Sequence, residues 1–236
     1  MRVDSRLNVN TPGTTTQLGS SQAAQVERPL QQRIQDNLFG HRPPLFDLST
    51  ASEEQQERLA AILERLRGFR AKLDVRAGDQ PGAPIVLASG TIAAIDGDGT
   101  IYYDASFLLE HAEETDLLVG ILAHEVGHRP RQWARARRNL QGLAASALDD
   151  ICRYEEIRAD TFAGLAMAEL GMSVEPMIEL LLRVQVEPHP RYLSAEQRGE
   201  VLRREHLRGT QRALDMRRNY PDMHRGTAIR DLIGVF

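Results

Sequence analysis

At 236 residues, with 42% hydrophobic and 26% charged side chains, the chain can bury one substantial core. That balance excludes a wholly disordered, collagen-like or membrane-embedded protein. A net charge of -4 gives no global attraction to nucleic acid or anionic lipid. No apolar run approaches the roughly 20 residues of a membrane-spanning helix, so neither a nucleic-acid partner nor a membrane span is expected. The single cysteine, Cys152, rules out an intramolecular disulfide and fits a reducing compartment.

Residues 1–42 are rich in Thr, Ser, Gln and Asn, with too few apolar side chains on any face to offset the entropy of ordering them. They are expected to form a mobile polar arm, and residues 43–236 one catalytic domain. The N-terminus lacks the apolar run and cleavage site of a secretory signal, so cytoplasmic residence is the default expectation. Such arms also resemble the uncleaved signals of proteins passed through bacterial injection systems; an ordinary disordered terminus is the plainer reading.

After Pro43-Pro44, Thr50 and Glu53 read as a capping box for a helix to about Phe69, with Leu59, Ile62, Leu63 and Leu66 at helical spacing. From Pro84 the pattern shifts to three short β-rich runs, Ile85–Ala88, Thr91–Ile95 and Thr100–Tyr103. The last two are separated by a hairpin-type turn, Asp96-Gly97-Asp98-Gly99. Beyond Asp104 the chain reads as helical, with breaks near Gly171-Met172, Glu187 to Pro190 and Tyr220-Pro221. Ser173 and Ser194 are candidate N-caps, the second completing a capping box with Gln197. The fold class is therefore α+β and predominantly helical, with a small sheet.

The chemistry concentrates at His124-Glu125-Val126-Gly127-His128, within a helix that starts near Glu114. Four-residue spacing puts both imidazoles on one helix face, where they can share one Zn²⁺ and place Glu125 beside the catalytic water. Because Leu117–Ala123 is apolar nearly all round, this helix is expected to be buried, and buried His and Glu need partners or a metal. A second helix, Tyr154 to Leu170, carries Glu156 and Asp160 on one face. Glu156 can supply the third ligand, while Asp160 can accept the free N–H of a ligand histidine. Glu155 competes as ligand, and pairs of Glu155 or Glu156 with Arg158 are the bland alternative.

His124 to His128 followed by Glu156-x-x-Ala159-Asp160 resembles the gluzincin peptidases related to HtpX and the CAAX prenyl proteases. The stretch from Gly90-Thr91-Ile92 through Ile101-Tyr102-Tyr103, Phe107-Leu108-Leu109 and Glu114 to His128 is similar to that family's strand, short helix and active-site helix. The similarity covers about residues 83 to 183. It implies a zincin-like catalytic domain, one zinc per chain on His124, His128 and Glu156, Glu125 as general base and Asp160 behind the ligands. It also implies that the strand Ile101 to Asp104 borders the cleft and pairs with an extended protein or peptide substrate. The chain carries neither the membrane segments of some members nor the signal peptide of others, which argues against prenylated or membrane-protein substrates. Only 27 residues separate His128 from Glu156, as in a stripped-down variant.

Arg129-Pro130-Arg131 and the arginines to Arg138 read as a solvated helix face, with a basic cleft edge as the functional alternative. Tyr220-Pro221-Asp222-Met223-His224 with Arg230 weakly resembles a segment that follows the ligands in the family. Tyr220, His224 and Arg230 are thus candidates to stabilise an oxyanion, against an ordinary interhelical turn. His41, His111, His189 and His206 fall outside ligand spacing. The expected activity is zinc-dependent endopeptidase; the rivals are an inactive zinc-binding or interaction protein and a secreted effector protease with one target.

Overall fold

A computed structural model describes residues 42–79, 81–129, 147–185 and 191–219. It contains six α-helices among these residues: α1 (Glu53–Arg76), α2 (Ala105–Glu110), α3 (Thr115–Gly127), α4 (Ala147–Leu170), α5 (Glu175–Val184) and α6 (Ala195–Asn219). Three strands, β1 (Ile85–Ala88), β2 (Ala93–Ile95) and β3 (Ile101–Asp104), lie between α1 and α2. The α+β, mostly helical class is as expected from the sequence. No helix of the described residues is long and apolar enough to cross a membrane.

The capping box of α1 is formed by Ser52 and Gln55, not by Thr50 and Glu53. Asp47 accepts from the Ser49 N–H and organises a 3-10 turn over Leu48–Thr50, so Thr50 is already folded when the helix begins. Ser52 is extended at φ -65° and ψ 159°; its hydroxyl accepts from the Gln55 N–H, and the Gln55 amide oxygen accepts from the Ser52 N–H. The helix also runs past Phe69 to Arg76, because Leu73 continues the buried face. In this extension Arg70 and Asp74 form a buried pair at 3.3 Å, and Arg70 Nη2 donates to the Gly99 carbonyl at 2.6 Å. That bond ties the hairpin turn to α1.

The sheet has the order β1-β3-β2, with β1 parallel and β2 antiparallel to β3. The expected hairpin is present as Ala93↔Tyr103, Ala94↔Tyr102 and Ile95↔Ile101 around the Asp96–Gly99 turn. One expectation is overturned: β3 cannot pair with a substrate strand. Both of its edges are already occupied, by Ile85–Ala88 on one side and Ala93–Ile95 on the other. The outer side of β1 is bridged by Leu45 at Ala88, which leaves β2 as the edge strand nearest α3.

α3 is the centre of the core, every residue from Leu117 to Gly127 being buried. Tyr103, itself inaccessible, donates its hydroxyl to the Leu118 carbonyl at 2.8 Å and so fixes β3 on α3. α4 packs between α3 and α6. It approaches α6 so closely that a Cβ at Gly164 would lie 2.7 Å from the Leu202 carbonyl oxygen. Ser194 and Gln197 form the expected box at the start of α6. Before α5 the Ser173 hydroxyl accepts from the Glu175 N–H at 3.1 Å, but the residue in the cap position is Val174.

Candidate metal centre

α3 delivers His124 and His128 from one face, as a four-residue helical spacing dictates. α4 crosses beneath and delivers Glu156. The crossing is close because two small residues meet there: a Cβ on Gly127 would fall 2.9 Å from both the Cα and the carbonyl oxygen of Ala159. His128 ends α3 in a helical conformation, and Arg129 turns the chain away at φ 45°, a left-handed value that non-glycine residues seldom adopt. The Arg129 guanidinium stacks 5.0 Å from the Phe162 ring on α4. Arg158 of α4 donates to the His128 carbonyl at 2.5 Å, so the last turn of α3 is clamped to α4 beside the ligand pair.

Potential ligand atoms of His124, His128 and Glu156 lie within 4.8 Å of one another, all on buried residues. Glu156 Oε2 is 3.4 Å from His124 Nε2, and Glu156 Oε1 is 3.7 Å from His128 Nε2. Both ring nitrogens of His124 and Glu156 Oε2 are shielded from solvent and make no hydrogen bond of good geometry among the described residues, although Asp160 Oδ1 lies 2.9 Å from Nδ1. Buried polar atoms normally have partners, and Nε2 and Oε2 face each other where a cation would satisfy both. Two imidazole nitrogens and one carboxylate are a donor set suited to Zn²⁺ and other first-row divalent ions. The cluster can hold a metal ion.

Asp160, one turn beyond Glu156, lies with Oδ1 2.9 Å from His124 Nδ1, as expected for an acceptor behind a ligand histidine. Glu155, the competing ligand, is instead held by Arg158 at 3.0 and 2.6 Å. The intrahelical pair weighed as the bland reading therefore exists, but on Glu155, and it leaves Glu156 to the cluster. Glu125 is buried in α3 and follows His124 directly in sequence.

Burial and neighbours pull the acids in opposite directions. Burial pushes the Glu156 and Asp160 carboxyls up. For Glu156, His128, His124 and Arg198 outweigh burial, and for Asp160 the Arg198 pair does, so both are held below the usual carboxylate range. Glu155 is raised, because burial outweighs its Arg158 partner. His128 is pushed well down by burial, against the pull of Glu156, which favours the neutral, ligating imidazole.

The residue that sequence reasoning missed is Arg198, on α6. Its Nε and Nη2 bond both oxygens of Asp160 at 2.8 Å, and its Nη2 lies 3.5 Å from Glu156 Oε2. It is 2% exposed. One signal was available: Arg198 directly follows the Ser194–Gln197 capping box, in register with the buried Ala195, Val201, Leu202 and Glu205 of α6. His111 pairs with Glu114 at 2.7 Å, and His206 donates to the Met172 carbonyl at 2.8 Å, both outside the cluster. Tyr220, His224 and Arg230, the arginine run from Pro130 to Arg138, His41 and His189, and the polar arm over residues 1–41 lie outside the described residues.

None of the family models, curated proteins or solved structures compared with this chain matches it.

Proposed function

We propose that this chain is a zinc-dependent endopeptidase with a zincin-like catalytic domain, akin to the gluzincins it resembles in sequence. In this reading His124, His128 and Glu156 hold one zinc per chain. The observation that carries it is the convergence of three buried potential ligands from two helices, with Asp160 beside His124 and a buried Glu125 next to it on α3. Among the described residues no fourth His, Cys, Asp or Glu joins the cluster, as in catalytic sites that keep a coordination position for water or substrate. Zinc, when bound, acts as a Lewis acid on the scissile carbonyl and makes water a stronger acid.

The protein's own groups do the rest. Asp160 Oδ1, 2.9 Å from His124 Nδ1, favours the tautomer protonated on that nitrogen, which leaves the Nε2 lone pair for the ligand position. Arg158, through the His128 carbonyl, holds the end of α3 in place. Glu125 takes a proton from the attacking water on a carboxylate oxygen and passes it to the leaving amine nitrogen. An extended peptide is accommodated by the outer edge of β2, the strand beside α3, because β3 is interior to the sheet.

Metal analysis of the purified chain, together with assay on a peptide library, tests this. About one zinc per wild-type chain is expected, with zinc retained and cleavage abolished in Glu125→Gln, and zinc lost in Glu156→Gln. Unaltered cleavage by Glu125→Gln, or a folded wild type that takes up no zinc, would overturn the proposal.

A further inference from the structure

Asp160 can select the working form of His124 only if its own carboxylate cannot rotate. A carboxylate on a short side chain has one torsion that swings both oxygens, and a single bond from one imidazole does not fix it. Here Oδ2 accepts from Arg198 Nε and Oδ1 from Arg198 Nη2, both at 2.8 Å, while the same Oδ1 faces His124 Nδ1 at 2.9 Å. The planar guanidinium therefore sets the plane of the carboxylate, and the carboxylate sets the imidazole. All three side chains are buried, His124 and Asp160 completely, so water cannot substitute for any of these bonds. The guanidinium also lies 6.0 Å from the ring centroid of Tyr192, which covers it from the α6 entry.

A second contact gives the arginine a further task. Its Nη2 is 3.5 Å from Glu156 Oε2, the oxygen that lies 3.4 Å from His124 Nε2. One fixed cation thus faces both buried acids of the centre, one on each side of the histidine. Asp160 and Glu156 are one turn apart on α4 and their like charges would otherwise repel.

We infer that Arg198 is a positioning residue of the metal centre: by gripping Asp160 at two points it locks His124 as the Nδ1–H tautomer and aims its Nε2 at Glu156 and His128. The inference rests on the reading of this cluster as a metal site, but its first consequence belongs to the metal-free protein. α6 is then a working part of a centre whose ligands all come from α3 and α4, and the centre is assembled before the metal arrives.

The test uses the full chain as wild type, Arg198→Lys, Arg198→Met and Asp160→Asn. Long-range ¹H–¹⁵N correlation spectra of the metal-free proteins at neutral to mildly alkaline pH report which ring nitrogen of His124 carries the proton. Chelator competition with Co²⁺ reports affinity, and the visible Co²⁺ absorption reports ligand geometry. Wild type is expected to show His124 as a single Nδ1–H tautomer. Arg198→Lys retains the positive charge but has no fork; a folded protein with mixed tautomers, an altered Co²⁺ spectrum and about 10–100-fold weaker Co²⁺ binding is expected. Should Arg198→Met fail to fold, the lysine variant decides the matter alone. Arg198→Lys with the wild-type tautomer, spectrum and affinity would overturn the inference, even if its unfolding midpoint fell, because a purely structural cross-link changes stability alone. A wild type with His124 as the Nε2–H tautomer would overturn it as well. A wild type that shows the Nδ1–H tautomer but takes up no Co²⁺ would remove the metal reading, while loss of that tautomer in Arg198→Lys would still uphold the positioning role.

Discussion

Asp96 and Glu156 are both buried carboxylates, 1% and 6% exposed, and they are treated in opposite ways. Asp96 sits in the hairpin turn with its oxygens filled: Oδ1 accepts from the Asp98 and Thr100 N–H groups, and Oδ2 from the Tyr102 hydroxyl at 3.1 Å, with Arg42 Nε at the same distance. Glu156 has cationic or potentially ligating neighbours at 3.4 to 3.7 Å and no hydrogen bond to Oε2 among the described residues. A buried acid that serves the fold has its lone pairs occupied by the chain. On the proposed metal reading, an acid that serves a ligand is instead surrounded by potential ligands with an oxygen left for the ion. On that reading the difference separates the two acids more sharply than burial does.

The comparison is tested most severely at Arg198, the cation nearest the bare acid. Arg198→Met leaves Asp160 and Glu156 as buried charges without a counter-ion, and a loss of about 3–5 kcal/mol in denaturant unfolding of the metal-free chain is expected. A loss below about 1 kcal/mol would mean that the two carboxyls are already neutral or solvated.

Metal sharpens it next. Zinc at one hundred times its Kd should stabilise the wild type by about 2.7 kcal/mol, and Asp96→Asn by the same increment, whereas Glu156→Gln should show none of it. Differential melts with and without metal measure this. In the metal-free state the order reverses. Asp96→Asn is expected to cost about 1–3 kcal/mol, because its charged acceptor bonds are lost, and Glu156→Gln less. A larger metal-free loss at Glu156 than at Asp96 would break the distinction.

The smallest effect is at the surface. Glu175 meets Arg203 at 2.6 Å, and this hydrogen-bonded partner holds its carboxyl below the ordinary value of 4.5. Because the folded-state value is depressed, the contribution is present above pH 4.5 and is lost as pH falls through the folded-state value. Both side chains are about half exposed, so Glu175→Gln should change stability by no more than about 0.5 kcal/mol at neutral pH, and by progressively less as pH falls through the folded-state value.

How much of this was written in the sequence follows from which forces are local. The helices that carry the candidate ligands were legible: α3 because its apolar run surrounds a four-residue histidine spacing, and α4 because Glu156 and Asp160 repeat at one turn. The hairpin was legible from Asp96-Gly97-Asp98-Gly99. The end of α1 was not, because Arg70 and Asp74 interrupt its apolar pattern and are buried as a pair whose arginine reaches the Gly99 carbonyl, 29 residues away. The strand order was not, since the parallel pairing of β1 with β3 depends on the twelve residues between them doubling back through β2. The N-cap at Thr50 failed because Asp47 had already folded that residue into a turn. Arg198 was hidden by numbers: in an arginine-rich helix only its register with the buried Ala195, Val201 and Leu202 sets it apart from the arginines that face solvent.

Gly127 carries a consequence for the motif itself. In His-Glu-x-x-His only three positions are named, and the two others read as free. Here the second of them works as a spacer gauge, because the missing side chain at Gly127 lets the backbone of Ala159, and with it Glu156 on α4, come up to the histidine helix. A methyl group added at Gly127 would meet the backbone of Ala159, so trimming a side chain cannot answer it and α4 has to shift. The effective signature of this centre is therefore longer than its ligand list: His-Glu-x-Gly-His on one helix, and Glu-x-x-Ala-Asp on the helix that must fit against it.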